Sequence, residues 1–180
     1  KIMKKKILLT DNIMEAFVPI YKKKFSVDTL WNTKNIKYSK YEGVVASGLF
    51  SIPSSFYNKL SSLKIISMFG VGFDNVNLKI CKERNIKVAN TPGVLTTDVA
   101  DLTLTLLLSV SRNLFIGQQY VLSNDWIKKG PMKLTDSVYN KKVGIVGLGN
   151  IGKEFAKKAE VFSMNINYFG PRKKNVKYTY

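Results

Sequence analysis

The stretch Val143-Gly144-Ile145-Val146-Gly147-Leu148-Gly149-Asn150-Ile151-Gly152-Lys153 constrains this chain more than any other. An apolar, β-branched run leads into three glycines spaced G-x-G-x-x-G, and helix-forming sequence follows. Each glycine has a physical use in a strand-turn-helix unit. Gly147 permits the tight turn, Gly149 lets the backbone approach a phosphate without a Cβ in the way, and Gly152 lets the helix lie close on the strand. The free N–H groups at the helix start then face an anion. The candidate cofactor-binding residues here are Gly147, Leu148, Gly149, Asn150, Ile151 and Gly152. The plainer reading is a glycine-rich turn that binds nothing. Strand, spacing and helix occurring together argue for the phosphate site of a dinucleotide fold. Ile151, Phe155, Ala159 and Phe162 recur at helical spacing and are expected to form the packed face.

The next strand is expected at Asn165–Phe169, running into Gly170-Pro-Arg-Lys-Lys174. A site for NAD carries Asp or Glu at the end of this strand, about 20 residues after the glycines, to hold the ribose hydroxyls. Gly170 occupies that place, and Arg172 and Lys173 follow it. A carboxylate would repel a ribose 2′-phosphate, whereas an arginine pairs with it. The expected cofactor is NADP or NAD, with NADP favoured. The competing reading is that these cations are solvated turn charges in a lysine-rich protein.

Upstream, short apolar runs alternate with helix-sized segments. Strands are expected at 6–10, 25–30, 43–47, 64–69 and 86–89, and helices at 13–24, 53–60 and 78–84. Such alternation implies βαβ units and a parallel sheet of about five strands. From Thr97 to Arg112 there is neither Gly nor Pro. Thr96 or Thr97 is expected to cap this helix. Its apolar spacing predicts burial over most of its circumference. Residues 123–135, with Trp126, Gly130 and Pro131, are expected to form a loop.

Composition excludes several chemistries. The 180 residues contain no histidine and one cysteine, Cys81. A Ser-His-Asp triad, a Cys-His pair and any imidazole base are therefore outside the reach of these residues alone. No intrachain disulfide can form, which suits a cytoplasmic location. Hydrophobic residues make up 45% of the chain, enough for a core. With 29 Lys and Arg against 12 Asp and Glu, the net charge is +17. Lysines are dispersed and no nucleic-acid-reading motif accompanies them, so no nucleic-acid partner is expected. The longest nearly uncharged apolar run, 102–110, is too short to span a bilayer. No membrane partner and no metal site are expected.

Three stretches taken together, 70–77 (GVGFDNVN), 90–109 (NTPGVLTTDVADLTLTLLLS) and 143–152, resemble the NAD(P)-dependent D-2-hydroxyacid dehydrogenases of the glyoxylate/hydroxypyruvate reductase type. The resemblance implies an α/β architecture: a flavodoxin-like, parallel-sheet substrate domain followed by the first part of a Rossmann dinucleotide-binding domain. The expected bounds are residues 1–97 for the substrate domain, 98–140 for linker helices and loop, and 141–180 for the incomplete cofactor domain. It implies that Val71 and Gly72 offer backbone N–H groups to a substrate carboxylate, and that Thr96 contacts the cofactor. Leu49 and Phe50 are candidate pocket-lining residues. It also implies a homodimer built on the helix from Thr97. Asp101 stands where the family has Glu.

The implied reaction is hydride transfer between NAD(P)H and a small 2-oxo acid or D-2-hydroxy acid. The catalytic Arg, Glu and His of the family belong to a later segment and are expected beyond Tyr180, so these residues alone are expected to be inactive. The alternative is a non-catalytic module that senses the dinucleotide.

Overall fold

A computed structural model describes residues 4–180. The chain divides between Pro92 and Gly93.

In the first unit, five strands lie parallel: β1 (Lys6–Leu9), β2 (Ser26–Thr29), β3 (Gly43–Ser47), β4 (Ile65–Phe69) and β5 (Lys87–Ala89). Their order is β2-β1-β3-β4-β5, the flavodoxin-like doubly wound order. All five residues of β3 are buried, as a central parallel strand covered on both faces requires. Alternate side chains supply the two faces. Leu8, Val44, Ala46, Ile66 and Met68 pack with Tyr57 and Leu60 on one side, while Ile7, Leu9 and Val45 pack with Met14 on the other.

The helices around this sheet are short. The expected helix at 13–24 divides into a 3₁₀ turn, Asn12–Phe17, and α1 (Val18–Lys24). Asp11 caps the turn by accepting from Ile13 N–H. Pro19 lies at the start of α1, where its missing N–H costs nothing. α2 (Ser54–Lys59) begins after Pro53, which is the cap residue itself and not part of the first turn. α3 (Leu78–Glu83) is capped by Asn77, whose side chain accepts from Ile80 N–H at 3.0 Å.

In the second unit, α4 (Thr96–Ser111), α5 (Leu114–Leu122) and α6 (Asp125–Lys129) precede a two-stranded parallel sheet. The strands are β6 (Lys142–Val146) and β7 (Asn165–Phe169), joined through α7 (Asn150–Val161). α4 packs on α7, with Ala100 in one cluster with Ile145, Leu148, Phe155, Ala156, Ala159, Ile166 and Tyr168.

Four expectations for this unit are corrected. No threonine caps α4: its cap position is Leu95, without a side-chain bond, and Thr96 is already the first helical residue. Nor is α4 buried over most of its circumference. Only Ala100 and Ser109 are buried, and Leu102, Leu106 and Val110 are exposed. Helical periodicity detects a stripe that wants cover, and here it covers one side only, against α7. The segment 123–135 is not all loop, since α6 forms within it after Asn124 turns the chain with φ 56°. In α7 the buried face is Phe155, Ala156 and Ala159, while Ile151 at the helix start remains 42% exposed.

Among the described residues no single helix is long and apolar enough to cross a membrane. The pair α4 and α5, bent by 58°, reaches that length and apolarity only when taken together.

Candidate functional site

In open α/β sheets, ligands bind beyond the carboxyl ends of the strands, and both units place their candidate residues there. In the first unit the loops after β1, β3, β4 and β5 meet at this end and are tied by side chains. Ser47 Oγ donates to the Asp11 carboxylate at 2.5 Å and accepts from Leu49 N–H at 3.1 Å. Asn75, in the loop after β4, donates through Nδ2 to the carbonyls of Ser47 and Phe50. Asn90 Nδ2 donates to the Val71 carbonyl at 2.8 Å, and Thr91 N–H donates to the Gly70 carbonyl at 3.0 Å.

The Val71–Gly72 turn is thereby fixed from the loop after β5. Gly70 adopts φ 148°, which favours glycine. Val71 and Gly72 are exposed, and among the described residues their N–H groups have no hydrogen-bond partner. Such clustered donors suit an oxyanion. Leu49 projects outward at 79% exposure. Phe50 instead packs edge-on against Phe56 at 5.5 Å, on the core. A groove of about 400 Å³ lies elsewhere, beside β2 and lined by Pro19, Lys22, Asp28 and Trp31; it contains none of these candidates.

Sequence reasoning missed Asp11, Ser47 and Asn75. Their bonds join segments 36, 28 and 25 residues apart. The available signal was weak: short polar side chains directly after apolar strands. Cys81 lies on the buried face of α3, and burial pushes its thiol up, disfavouring the thiolate.

In the second unit β6 ends at Val146 and the glycine turn follows. Gly147 has φ 94°, a conformation that needs glycine. A Cβ at Gly152 would collide with the Gly147 carbonyl oxygen and lie 3.3 Å from Ile145 Cγ2. The third glycine therefore permits the helix-strand contact. A Cβ at Gly149 would meet nothing within 4 Å, so the protein itself does not require glycine there. An open, side-chain-free position at the cap of a 12-residue helix fits the pyrophosphate of a dinucleotide. Leu148 is buried and fixes the turn to the core.

After β7 the chain passes through Gly170 and Pro171 to Arg172, Lys173 and Lys174. Arg172 and Lys173 are exposed, and neither forms an ion pair among the described residues. The nearest acid in sequence, Glu160, is engaged by Lys177 at 2.7 Å. That hydrogen bond holds the glutamate below its usual value. Thr96 is half-buried in the first turn of α4.

A parallel 2-1-3-4-5 sheet in the first unit and a glycine-turn βαβ unit in the second define an α/β protein with the phosphate-binding turn of a dinucleotide fold. Residues 7–169 match the model of the D-isomer specific 2-hydroxyacid dehydrogenase catalytic domain, and the chain belongs to that family. Glyoxylate/hydroxypyruvate reductase A of Arabidopsis thaliana is 44% identical over 138 residues, covering 76% of this chain and 44% of that protein. Glyoxylate reductase of Pyrococcus horikoshii is 33% identical over 184 residues, covering 96% and 55%. Among solved structures, the 2-hydroxyacid dehydrogenase of Ketogulonicigenium vulgare superposes with a TM-score of 0.88 at 29% identity, covering 99% of this chain and 58% of that one. The NADPH-dependent glyoxylate/hydroxypyruvate reductase of Sinorhizobium meliloti, in complex with NADP and malonate, gives 0.86 at 29% identity over 98% and 57%. The chain spans about half the length of the curated relatives it matches.

Proposed function

We propose that this chain supplies the substrate-binding unit and the leading part of the cofactor-binding unit of an NADP(H)-dependent 2-oxoacid reductase. The observation that carries the reading is the pairing of an open glycine turn at Gly149 with a basic loop that has Gly170 where an acid would select NAD. Bound there, the cofactor supplies the hydride. Gly147, Gly149 and the α7 N-terminus hold the pyrophosphate, Arg172 and Lys173 hold the ribose 2′-phosphate, and Thr96 contacts the cofactor. Val71 and Gly72 hold the carboxylate of the 2-oxo acid through their N–H groups, with Leu49 beside the substrate side chain. These 180 residues contain no histidine, so an imidazole proton donor would come from outside them. We assign residues 1–97 to the substrate domain, 98–140 to the linker and 141–180 to the cofactor domain.

The exposed apolar residues of α4 and α5, among them Leu106, Val110, Phe115 and Leu122, support a homodimer in this reading. The single buried thiol supports a cytoplasmic setting. The test is a fluorescence titration with NADPH and NADH at two salt concentrations. NADPH is expected to bind more tightly, and R172D to lose that advantage by about tenfold or more. Consumption of NADPH with glyoxylate or hydroxypyruvate by the full gene product then tests the reaction. Failure of both nucleotides to bind overturns the reading and favours a non-enzymatic role.

A further inference from the structure

The basic loop after β7 is held from both ends by tyrosine hydroxyls. Tyr168, on β7, is 4% exposed, and its ring lies in the core of the second unit. Its hydroxyl accepts from Lys174 N–H at 2.7 Å and stands 3.3 Å from the Lys174 carbonyl, to which it donates. Both bonds of one phenol thus close on one backbone unit at the far end of the loop. At the near end, the Tyr180 hydroxyl donates to the Gly170 carbonyl at 2.7 Å. The two rings tilt against each other at 5.2 Å. Tyr180 is itself held in place, because Tyr168 N–H donates to the Thr179 carbonyl at 2.8 Å and Thr179 bridges to Asn167 in parallel.

Between the two anchors lie Pro171, Arg172 and Lys173. Pro171 further limits the backbone. Among the described residues neither cation is restrained by an ion pair, so the anchors and the proline set the direction in which they project. A rigid loop loses less freedom when its side chains close on an anion, and the gain appears only for a ligand that carries that anion.

We propose that Tyr168 and Tyr180 are positioning residues for cofactor specificity: they preorganise Arg172 and Lys173 to receive a ribose 2′-phosphate. This rests on the NADP(H) reading above. Neither tyrosine touches the nucleotide in this scheme, and their influence passes through the backbone of Gly170 and Lys174.

The test uses Y168F and Y180F in the 180-residue chain, since each removes one hydroxyl and keeps the ring. Y168F is expected to weaken NADPH binding about fivefold to tenfold and to leave NADH within about twofold. Y180F is expected to act in the same direction and less strongly. In an R172Q background Y168F should have no further effect on NADPH, because the cation it positions is gone. An equal loss for both nucleotides, or none for either, overturns the proposal. Amide exchange at Lys174 is read in parallel and is expected to quicken in Y168F; unchanged exchange overturns it too. If wild-type chain shows no preference for NADPH, the 2′-phosphate reading fails by itself, and the specificity role assigned to the tyrosines falls with it. Quickened exchange would then still identify the hydroxyl as the anchor of the loop.

Discussion

The two sheets present their ligand-facing ends in opposite ways. In the first unit the ends of β1, β3, β4 and β5 are tied by side chains: Asp11 to Ser47, Asn75 to Ser47 and Phe50, Asn90 to Val71. The Val71 and Gly72 N–H groups on the braced turn have no partner among the described residues. In the second unit the turn carries few side chains: glycine geometry shapes it and the buried Leu148 anchors it. The sheets differ in the same sense. β3 is buried along its whole length, whereas β6 and β7 expose Val146 at 85% and Phe169 at 68%. In the proposed function, binding in the first unit would thus be governed by long-range polar ties, and in the second by local backbone conformation. A single substitution should fail differently in each.

The largest effect is expected at the glycines, where two neighbouring positions separate fold from binding. G152A forces a methyl against the Gly147 carbonyl, and the helix must move off the strand. A cost of about 2–3 kcal/mol is expected, read from the shift of the thermal unfolding of the second unit. G149A meets no protein atom and keeps an ordinary extended backbone, with φ −81°. Its stability should stay within about 0.5 kcal/mol of wild type, while dinucleotide affinity falls at least tenfold. Wild-type affinity in G149A would break the idea that bare backbone is the binding surface.

A smaller effect is expected in the first unit. N75A removes two bonds to carbonyls and releases the loop after β3 from the loop after β4. The loss should be about 1–3 kcal/mol by urea denaturation. It is moderated because Asn75 Oδ1 is buried without a partner, and that unsatisfied acceptor leaves with the side chain. Faster amide exchange at Leu49, whose N–H bonds Ser47, would localise the change. Unaltered exchange there would mean that the Asp11–Ser47 bond suffices, and that the ties are redundant.

The same contrast explains what could be read in the sequence. The first sheet was legible because runs such as Gly43–Ser47 and Ile65–Phe69 are apolar, rich in β-branched residues and bounded by polar turns. The glycine turn was legible because a backbone requirement leaves a residue-type signature at fixed spacing, and Gly147 and Gly152 carry it through to a positive φ and a blocked Cβ. The ties were not legible. Asn75, Tyr168 and Tyr180 are ordinary polar and aromatic residues until the chain has folded, and their partners depend on loop paths. The outer face of α4 misled for a related reason. Periodicity at Leu102 and Leu106 states that a stripe is apolar, but not which chain covers it.

The smallest expected effect concerns acid, and it also divides the units. In the first, Asp28 accepts from the Tyr41 hydroxyl at 2.6 Å and pairs with Lys6 at 2.9 Å. Burial pushes its carboxyl up, but the bonds from Tyr41 and Lys6 outweigh burial and hold it below the ordinary aspartate value of 3.8. A folded value below the unfolded one stabilises the fold above the unfolded value and loses that contribution as pH falls through the folded value. The first unit should therefore lose stability on acidification, and D28N should flatten that slope. Glu160 in the second unit is also held down, by Lys177, whose ammonium is exposed to solvent. Added salt should erase the Glu160 contribution and leave most of that from Asp28, whose partner Tyr41 is uncharged and buried. Thermal unfolding of wild type, D28N and E160Q across acid pH, at low and high salt, reads both terms. Equal salt sensitivity of the two slopes would show that Asp28 depends on Lys6 rather than on Tyr41.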